Sequence, residues 1–202
     1  MNSKQRGGED EDLQYVILCR KGDANAFDVL VERHQKKMLN IAFRIIGDYD
    51  EACDVTQEAF VSAYKSINKF RGEAKFSTWL YRIVVNYSKN RLKQLRGATK
   101  NADICLDDLG ELTTKGKNNP SLIDHSNPGT QMERRERENQ VQRCISSLDE
   151  EYRDVLVLRD IQGFSYEEIR DILNIPDGTV KSRLSRARIA LKDCLIKVIG
   201  DL

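Results

Sequence analysis

The stretch SYEEIRDILNIPDGTVKSRLSRAR, Ser165–Arg188, decides how this chain is read. Ser165 with Glu168 three residues on has the spacing of a capping box, in which each side chain satisfies a free backbone N–H at a helix start. Ile169, Ile172 and Leu173 then fall on one helical face, and Ile175-Pro176-Asp177-Gly178 breaks the pattern. A second helix is predicted from near Thr179, burying Val180, Leu184, Ala187 and Leu191. Two short helices around a tight turn form a helix-turn-helix. The second helix exposes Lys181, Ser182, Arg183, Ser185, Arg186 and Arg188, with no acid between Gly178 and Ala190. A helix lying in the major groove needs such long cationic donors for phosphates and guanine edges, its first turns nearest the bases. A merely solvated amphipathic helix is the competing explanation. The coincidence of cap, turn and acid-free face favours DNA binding.

Working outward, helical pattern runs back to Glu133, through Cys144, Ile145 and Leu148 and on through Tyr152, Val155, Leu156 and Leu158. Between Gly97 and Met132 periodicity disappears while Gly, Asn, Asp, Ser, Thr and two of the three prolines accumulate. That is a flexible linker of about 35 residues, longer than a compact domain usually carries without a use for it. Before it, Phe27, Leu30, Val31, His34, Met38, Ile41, Ala42 and Ile45 line one helical face, with Asp23 as a candidate N-cap and Gly47 as the stop. Asp48 opens the next helix with Glu51 in capping-box spacing, and Ala52, Val55, Ala59 and Ala63 form its buried stripe. After a break at Phe70-Arg71-Gly72, a third helix from Ser77 turns Leu80, Ile83, Val84 and Tyr87 inward. The expected fold is all-α: an N-terminal helical bundle and a C-terminal helix-turn-helix domain joined by the linker.

The 202 residues allow one large domain or two small ones at roughly 150 residues per domain. A net charge of +1, from 33 Lys+Arg against 32 Asp+Glu, argues at first against a polyanion partner. The balance is an average. Met1–Phe60 holds 8 basic and 12 acidic residues, Val61–Arg96 holds 9 and 1, Glu133–Asp171 holds 7 and 11, and Ile172–Leu202 holds 6 and 3. Alternation of this kind implies two polyanion-facing surfaces and separate acidic surfaces for something else.

In the first basic segment Arg82, Asn86, Lys89 and Lys93 share one helical face, a basic and amide-bearing ridge. Phe70, Phe76, Trp79, Tyr81 and Tyr87 are interleaved with it, as a platform for single-stranded bases requires, although Trp79 reads better as core. Asp48, Asp50, Glu51, Asp54 and Glu58 read as helix-dipole acids and a partner-facing surface rather than a metal cluster. Asp107, Asp108 and Glu111 look equally non-catalytic. His34 reads as a packed residue, and no phosphate loop, nucleophile elbow or H-E-x-x-H motif is present, so no enzyme activity is expected. Cys19, Cys53, Cys105, Cys144 and Cys194 stand far apart with no C-x-x-C pair, which predicts reduced thiols in a cytoplasmic protein rather than a disulfide or zinc site. No apolar run approaches the ~20 residues of a membrane span, and the polar N-terminus does not resemble a signal peptide.

KGDANAFDVLVERH (Lys21–His34), DVTQEAFVSAYKSINKFRG (Asp54–Gly72), FSTWLYRIVVNYSKN (Phe76–Asn90) and LRDIQGFSYEEIRDILNIPDGTVKSRLSRAR (Leu158–Arg188) resemble, in order and spacing, the motifs of bacterial sigma factors. The likeness is to the extracytoplasmic-function (ECF) group, of the envelope-stress type. It extends from about Leu13 to Val198 and is weakest in the linker. It implies a disordered N-terminus over 1–12, a region 2 domain over 13–96, a linker over 97–132 and a region 4 domain over 133–202. By the same resemblance the chain joins core RNA polymerase and gives it promoter specificity, without a cofactor. Asp54, Val55, Gln57, Glu58 and Phe60 match the positions that dock on the beta-prime clamp helices, the beta subunit being the further core contact. Phe70, Tyr81, Arg82, Asn86 and Asn90, with Lys89 on the same ridge, are expected at the melted minus-ten element. Arg159, Thr179, Lys181, Ser182, Ser185 and Arg186 are expected at the minus-thirty-five element. The resemblance also implies control by an anti-sigma factor, often one anchored in the inner membrane, and no insertion of this chain into the membrane.

Two departures limit the carry-over. Ser185 occupies a position that varies in the family and helps select sequence, and Thr56 stands where an aliphatic residue is common. No sensing domain is expected after Leu202. A helix-turn-helix regulator with an unrelated N-terminal half is disfavoured by DVTQEAF and the Phe70–Asn90 pattern, and a nucleic-acid-processing enzyme by the lack of catalytic residues.

Overall fold

The computed structural model describes residues 10–102 and 128–200, and within them every regular element is helical. The N-terminal part consists of α1 (Leu13–Arg20), α2 (Asn25–Ile46), α3 (Tyr49–Ser66), one 3-10 turn (Ile67–Lys69) and α4 (Phe76–Ala102). The predicted face of α2 is buried, except that Val31 is only half-covered. Gly47 ends α2 in the left-handed region at φ 88°, where a residue without Cβ is unstrained, and its N–H returns to Phe43 O at 2.7 Å. Asp23 works one residue outside the helix, accepting from the Asn25 N–H at 3.0 Å. Asp48 accepts from the Glu51 N–H at 2.9 Å, but the reciprocal half of that box is replaced, because the Glu51 carboxylate takes Arg91 at 2.8 Å. Ala52, Val55, Ala59 and Ala63 are fully buried, small enough for α2 and α4 to close on α3.

The segment expected to be disordered, 1–12, falls partly among the described residues. Residues 1–9 lie outside the described residues, whereas Asp10 and Asp12 are built into the bundle. Asp10 accepts from the Phe76 N–H at 2.7 Å, satisfying an orphan donor at the start of α4. Asp12 is buried and meets His34 Nε2 at 2.8 Å and Arg33 Nη1 at 3.1 Å, while His34 Nδ1 meets the Tyr81 hydroxyl at 2.8 Å. His34 is therefore the packed residue its helical face implied. Burial pushes the Asp12 carboxyl up, but the hydrogen bonds and charges of His34 and Arg33 outweigh it and hold the group below its ordinary 3.8. A lowered folded-state value means the carboxylate stabilises the fold above the ordinary range and stops doing so as pH falls through the folded value. Urea midpoints measured from about pH 6 down to about pH 2 should fall more steeply for the natural chain than for Asp12→Asn. Equal slopes would remove this carboxylate from acid unfolding.

The C-terminal part consists of α5 (Pro128–Ser147), α6 (Glu150–Leu156), a π-turn (Val157–Ile161), α7 (Tyr166–Leu173) and α8 (Asp177–Ile199). The central part of the predicted linker, residues 103–127, lies outside the described residues, and with it Cys105, the acids Asp107, Asp108 and Glu111, and His125. Its edges are helical: α4 runs on to Ala102, and α5 opens at Pro128, a residue that fits a first helical position because it needs no donor there. The Ser165 capping box forms in both directions, with Glu168 N–H on Ser165 Oγ at 3.2 Å and Ser165 N–H on Glu168 Oε2 at 2.9 Å. Asn174 ends α7 at φ 55°, and α8 starts at Asp177, two residues before the expected Thr179, behind Pro176 in extended conformation. Val180, Leu184 and Ala187 are buried and Leu191 is half-buried.

One expectation is overturned outright. Cys144 and Cys194 form a disulfide, Cα to Cα 5.7 Å, tying α5 to α8. Fifty residues separate them in sequence, and only the side-by-side packing of two helices brings them together. Cys19, buried, and Cys53, half-buried, are free thiols.

The two parts share a continuous core. The end of α2 lies against α5: Arg44 Nη1 donates to Gln142 Oε1 at 2.9 Å, and a Cβ on Gly47 would stand 2.9 Å from Ser146 Oγ. Arg153 is 1% exposed. Its guanidinium donates to Ile145 O, Ser146 O and Leu148 O at 3.1, 2.6 and 2.7 Å, and to Ile45 O at 3.0 Å. One cation thus sits at the carbonyl ends of both α5 and α2, the negative ends of two helix dipoles.

Candidate nucleic-acid interface

The face of α8 is open. Lys181, Ser182, Ser185 and Arg186 are exposed and Thr179 is half-buried, all along one side of the helix's first turns. The π-turn, a helix defect frequent at functional sites, carries Arg159 to the same edge. Its Nη1 donates to Phe164 O at 2.7 Å and its guanidinium lies 4.9 Å from the Tyr166 ring centroid, with Lys181 Nζ at 6.0 Å from the same ring. Ser182 Oγ donates to Thr179 O, and Arg186 lies beside the Tyr152 hydroxyl, which holds its guanidinium above the ordinary value. Arg183 and Arg188 are engaged elsewhere, on Glu151 at 2.7 Å and Asp160 at 2.6 Å. The structure therefore brings together all six residues expected at an upstream duplex.

The ridge on α4 is differently placed. Asn86, Asn90 and Lys93 are exposed. The others face the C-terminal part: Lys89 Nζ lies 2.9 Å from Asp154 Oδ2 and 3.2 Å from Glu150 Oε1, and Arg82 Nη2 donates to Asp171 O. Tyr81, 5% exposed, meets the Phe164 ring at 5.2 Å, and Lys37 Nζ lies 4.0 Å from that ring and 5.5 Å from the Tyr81 ring. Burial, with the carboxylates of Asp12 and Glu168, pushes the Tyr81 phenol up, so it stays a neutral hydrogen-bonding group. Phe70 and Phe76 are core, and Trp79, half-buried, stacks on both at 5.5 and 5.6 Å. Beside them the loop after the 3-10 turn, anchored by Arg20 on the carbonyls of Ile67 and Phe70, borders a cleft of about 390 Å³. Its walls are Lys69–Ala74, Trp79 and Arg82, closed on one side by Arg170 and Asp171. Of the expected aromatics, Phe70 and Trp79 line this cleft, while Tyr87 is half-buried on α4.

On α3, Asp54, Gln57 and Glu58 are exposed, whereas Val55 and Phe60 are buried in the core. Glu58 is held by Arg91 at 2.8 Å. Val61 and Tyr64, 48% and 45% exposed, continue the same face and were missed. Their spacing from Asp54 and Gln57, seven in each case, was the available signal.

These two helical units are those of the sigma-70 proteins. Sigma-70 region 2 matches residues 30–97 and sigma-70 region 4 matches residues 138–191. The chain is 40% identical over 180 residues to the ECF RNA polymerase sigma-E factor of Escherichia coli, covering 89% of this chain and 92% of that one. It is 38% identical over 193 residues to the RNA polymerase sigma-H factor of Pseudomonas aeruginosa, covering 96% and 98%. The chain belongs to the ECF sigma factors, RNA polymerase subunits that direct transcription initiation from promoters. Among solved structures it is similar to CnrH in complex with the cytosolic domain of CnrY, TM-score 0.67, 22% identity, 94% and 99% covered. It is also similar to the sigma factor RpoE in complex with the anti-sigma factor NepR from Bartonella quintana, TM-score 0.63, 20% identity, 84% and 96% covered. At those identities the likeness is one of fold.

Proposed function

We propose that this sigma factor docks on core polymerase through the exposed face of α3, reads the minus-thirty-five duplex with α8, and holds the melted minus-ten strand at the α4 ridge and its adjoining cleft. The observation that carries the reading is the open, acid-free face of α8 with Arg159 and Lys181 converging at its start. Two weak DNA contacts joined by a segment of some thirty residues act bivalently once core polymerase holds both in register. The chain works by binding, with no cofactor. It acts in the cytoplasm, where an anti-sigma factor, in many family members one tied to the inner membrane, restrains it. No helix among the described residues is long and apolar enough to cross a membrane.

Purified chain added to core polymerase should yield promoter-directed transcripts from a genomic template library that core alone does not produce, and their absence would refute the reading. Asp54→Ala with Gln57→Ala should weaken core association about tenfold, ~1.4 kcal/mol, while binding of the full chain to upstream duplex is unchanged. Parallel loss of both would mark a folding defect instead. Arg186→Ala should reduce discrimination between matched and single-base-changed upstream duplexes by ~1–3 kcal/mol. A uniform loss on all sequences would make Arg186 a phosphate contact.

A further inference from the structure

We infer that Cys144 and Cys194 are a thiol–disulfide site at which low-molecular-weight disulfides act on the C-terminal domain, the oxidised form holding α8 on α5 and the reduced form loosening it, so that upstream-duplex binding follows the thiol pool. The inference rests on the reading of α8 as the minus-thirty-five helix and of the chain as cytoplasmic.

In the cytoplasm, glutathione and thioredoxin keep thiols reduced, and the disulfides found there are usually transient and serve catalysis or redox sensing. Packing alone brings these two residues to a Cα separation of 5.7 Å, near the commonest value for a bridged pair, so the bond closes without backbone movement. The two sulfurs differ in access. Cys144 is fully buried, whereas Cys194 is half-buried on α8, so a disulfide the size of oxidised glutathione meets Cys194 first. The Cys194 thiolate attacks one sulfur of the reagent, forming a mixed disulfide and expelling a thiolate. Cys144, as its thiolate, then attacks the Cys194 sulfur, closing the internal bond and expelling the second thiolate. Two electrons pass to the reagent, and the two protons given up by the pair end on the two expelled thiolates. A dithiol reductant reverses the sequence. Ser147 Oγ stands 2.8 Å from Cys144 O and 3.9 Å from Cys194 Sγ, so its one proton can turn to a Cys194 thiolate and favour it. Cys19 is buried, and its burial together with Asp23 pushes the thiol up, which makes it the poorer nucleophile.

The bond also sits where it can matter. Beyond Ala187 no described side chain of α8 is fully buried: Leu191, Cys194 and Leu195 are half-covered, and Ile189, Ile196 and Val198 are exposed. A covalent hold thus fastens the poorly packed end of the helix whose other end carries Lys181 to Arg186. Without it, α6 to α8 open locally more often, and duplex affinity falls with the fraction of chains still closed.

The test uses the full natural chain in glutathione buffers of set ratio. Thiol alkylation and peptide mass should show the Cys144–Cys194 bond closing and opening with the ratio. Cys144→Ala should accumulate a glutathione mixed disulfide at Cys194, whereas Cys194→Ala should leave Cys144 unmodified. On a duplex taken from a promoter the chain transcribes, at one salt concentration, the reduced chain should bind about fivefold more weakly than the oxidised. Promoter transcripts with core polymerase should fall with it, and the double alanine variant should stay at the reduced level in every buffer. A bond that cytoplasmic glutathione ratios cannot open, or equal duplex affinity in the two states, overturns the inference. So does hydrogen exchange showing α1 to α4 unprotected in the reduced chain, because the loss would then be of the whole fold. The reading of α8 is judged apart, by Arg186→Ala and Lys181→Ala. If duplex binding depends on those residues but not on redox state, the thiol site alone fails; if it depends on neither, the reading beneath it fails.

Discussion

Arg153→Met is expected to lower the stability of the chain by roughly 3–5 kcal/mol, in the range seen when one partner of a buried polar set is removed. Methionine keeps most of the aliphatic volume but supplies no donor. Four carbonyls then lose the guanidinium at once, Ile145 O and Ser146 O in the last turn of α5, Leu148 O just after it and Ile45 O at the end of α2, and only Ile145 O keeps another donor, the Leu148 N–H at 3.2 Å. The last carbonyls of a helix lack i+4 donors, so the helices themselves offer Ser146 O and Ile45 O no replacement for the guanidinium. Arg153→Lys should recover only part of the loss, because an ammonium keeps the charge at the two helix ends but not the planar fork that reaches four acceptors. Denaturant midpoints for the three chains measure this order. A Met variant within about 0.5 kcal/mol of the natural chain would show that water reaches these carbonyls and that Arg153 is dispensable.

Breaking the Cys144–Cys194 bond is the second large effect. The bond closes a loop of 50 residues that contains α6, α7 and most of α8, and in the chain-entropy treatment a loop of that length is worth about 4 kcal/mol. Cys144 is fully buried in α5, whereas Cys194 is half-buried, so a reductant approaches from the α8 side. Reduction, or Cys144→Ser with Cys194→Ser, should lower the unfolding midpoint of the C-terminal domain and leave the N-terminal bundle's unchanged. Hydrogen exchange resolves the two. Protection that falls equally in α3 and α8 would mean that the shared core, not the bond, sets the stability of the C-terminal domain. In a glutathione-buffered compartment the same comparison decides which form of the domain meets DNA.

The helices were legible because their signal is local. Phe27 through Ile45 on α2, the small stripe of α3 and the Ser165 capping box repeat at distances a single helix dictates, and each is where periodicity placed it. The open residues of α8 were legible for the same reason. What escaped depends on contacts between distant segments. Cys144 and Cys194 carry no mark of pairing, and Asp12 reads as one more acid in GEDEDL, although it anchors His34. Arg153 and Asp154 interrupt the apolar run Tyr152–Leu158, and a cation in that place was a hint that something buried had to be capped. Val55 and Phe60 fell within a motif whose outward residues are Asp54 and Gln57, and a motif does not say which of its members face in. The cover over the α4 ridge is the extreme case. A polar helical face reads the same whether water, DNA or an acidic domain lies against it.

The bond from Arg153 to Ile45 O spans 108 residues of sequence. Contacts that distant form late, whereas α1 to α4 are joined by short loops and can assemble as soon as they leave the ribosome. About 50 residues separate the end of α4 from Arg153, and at ~5–20 residues per second they take roughly 3–10 s to synthesise. Each newly made chain therefore passes through an interval in which its N-terminal half is folded and bare. A partner present at the site of translation meets that half before its own C-terminal domain does, so the order of synthesis, as well as affinity, helps decide which surface the ridge first touches.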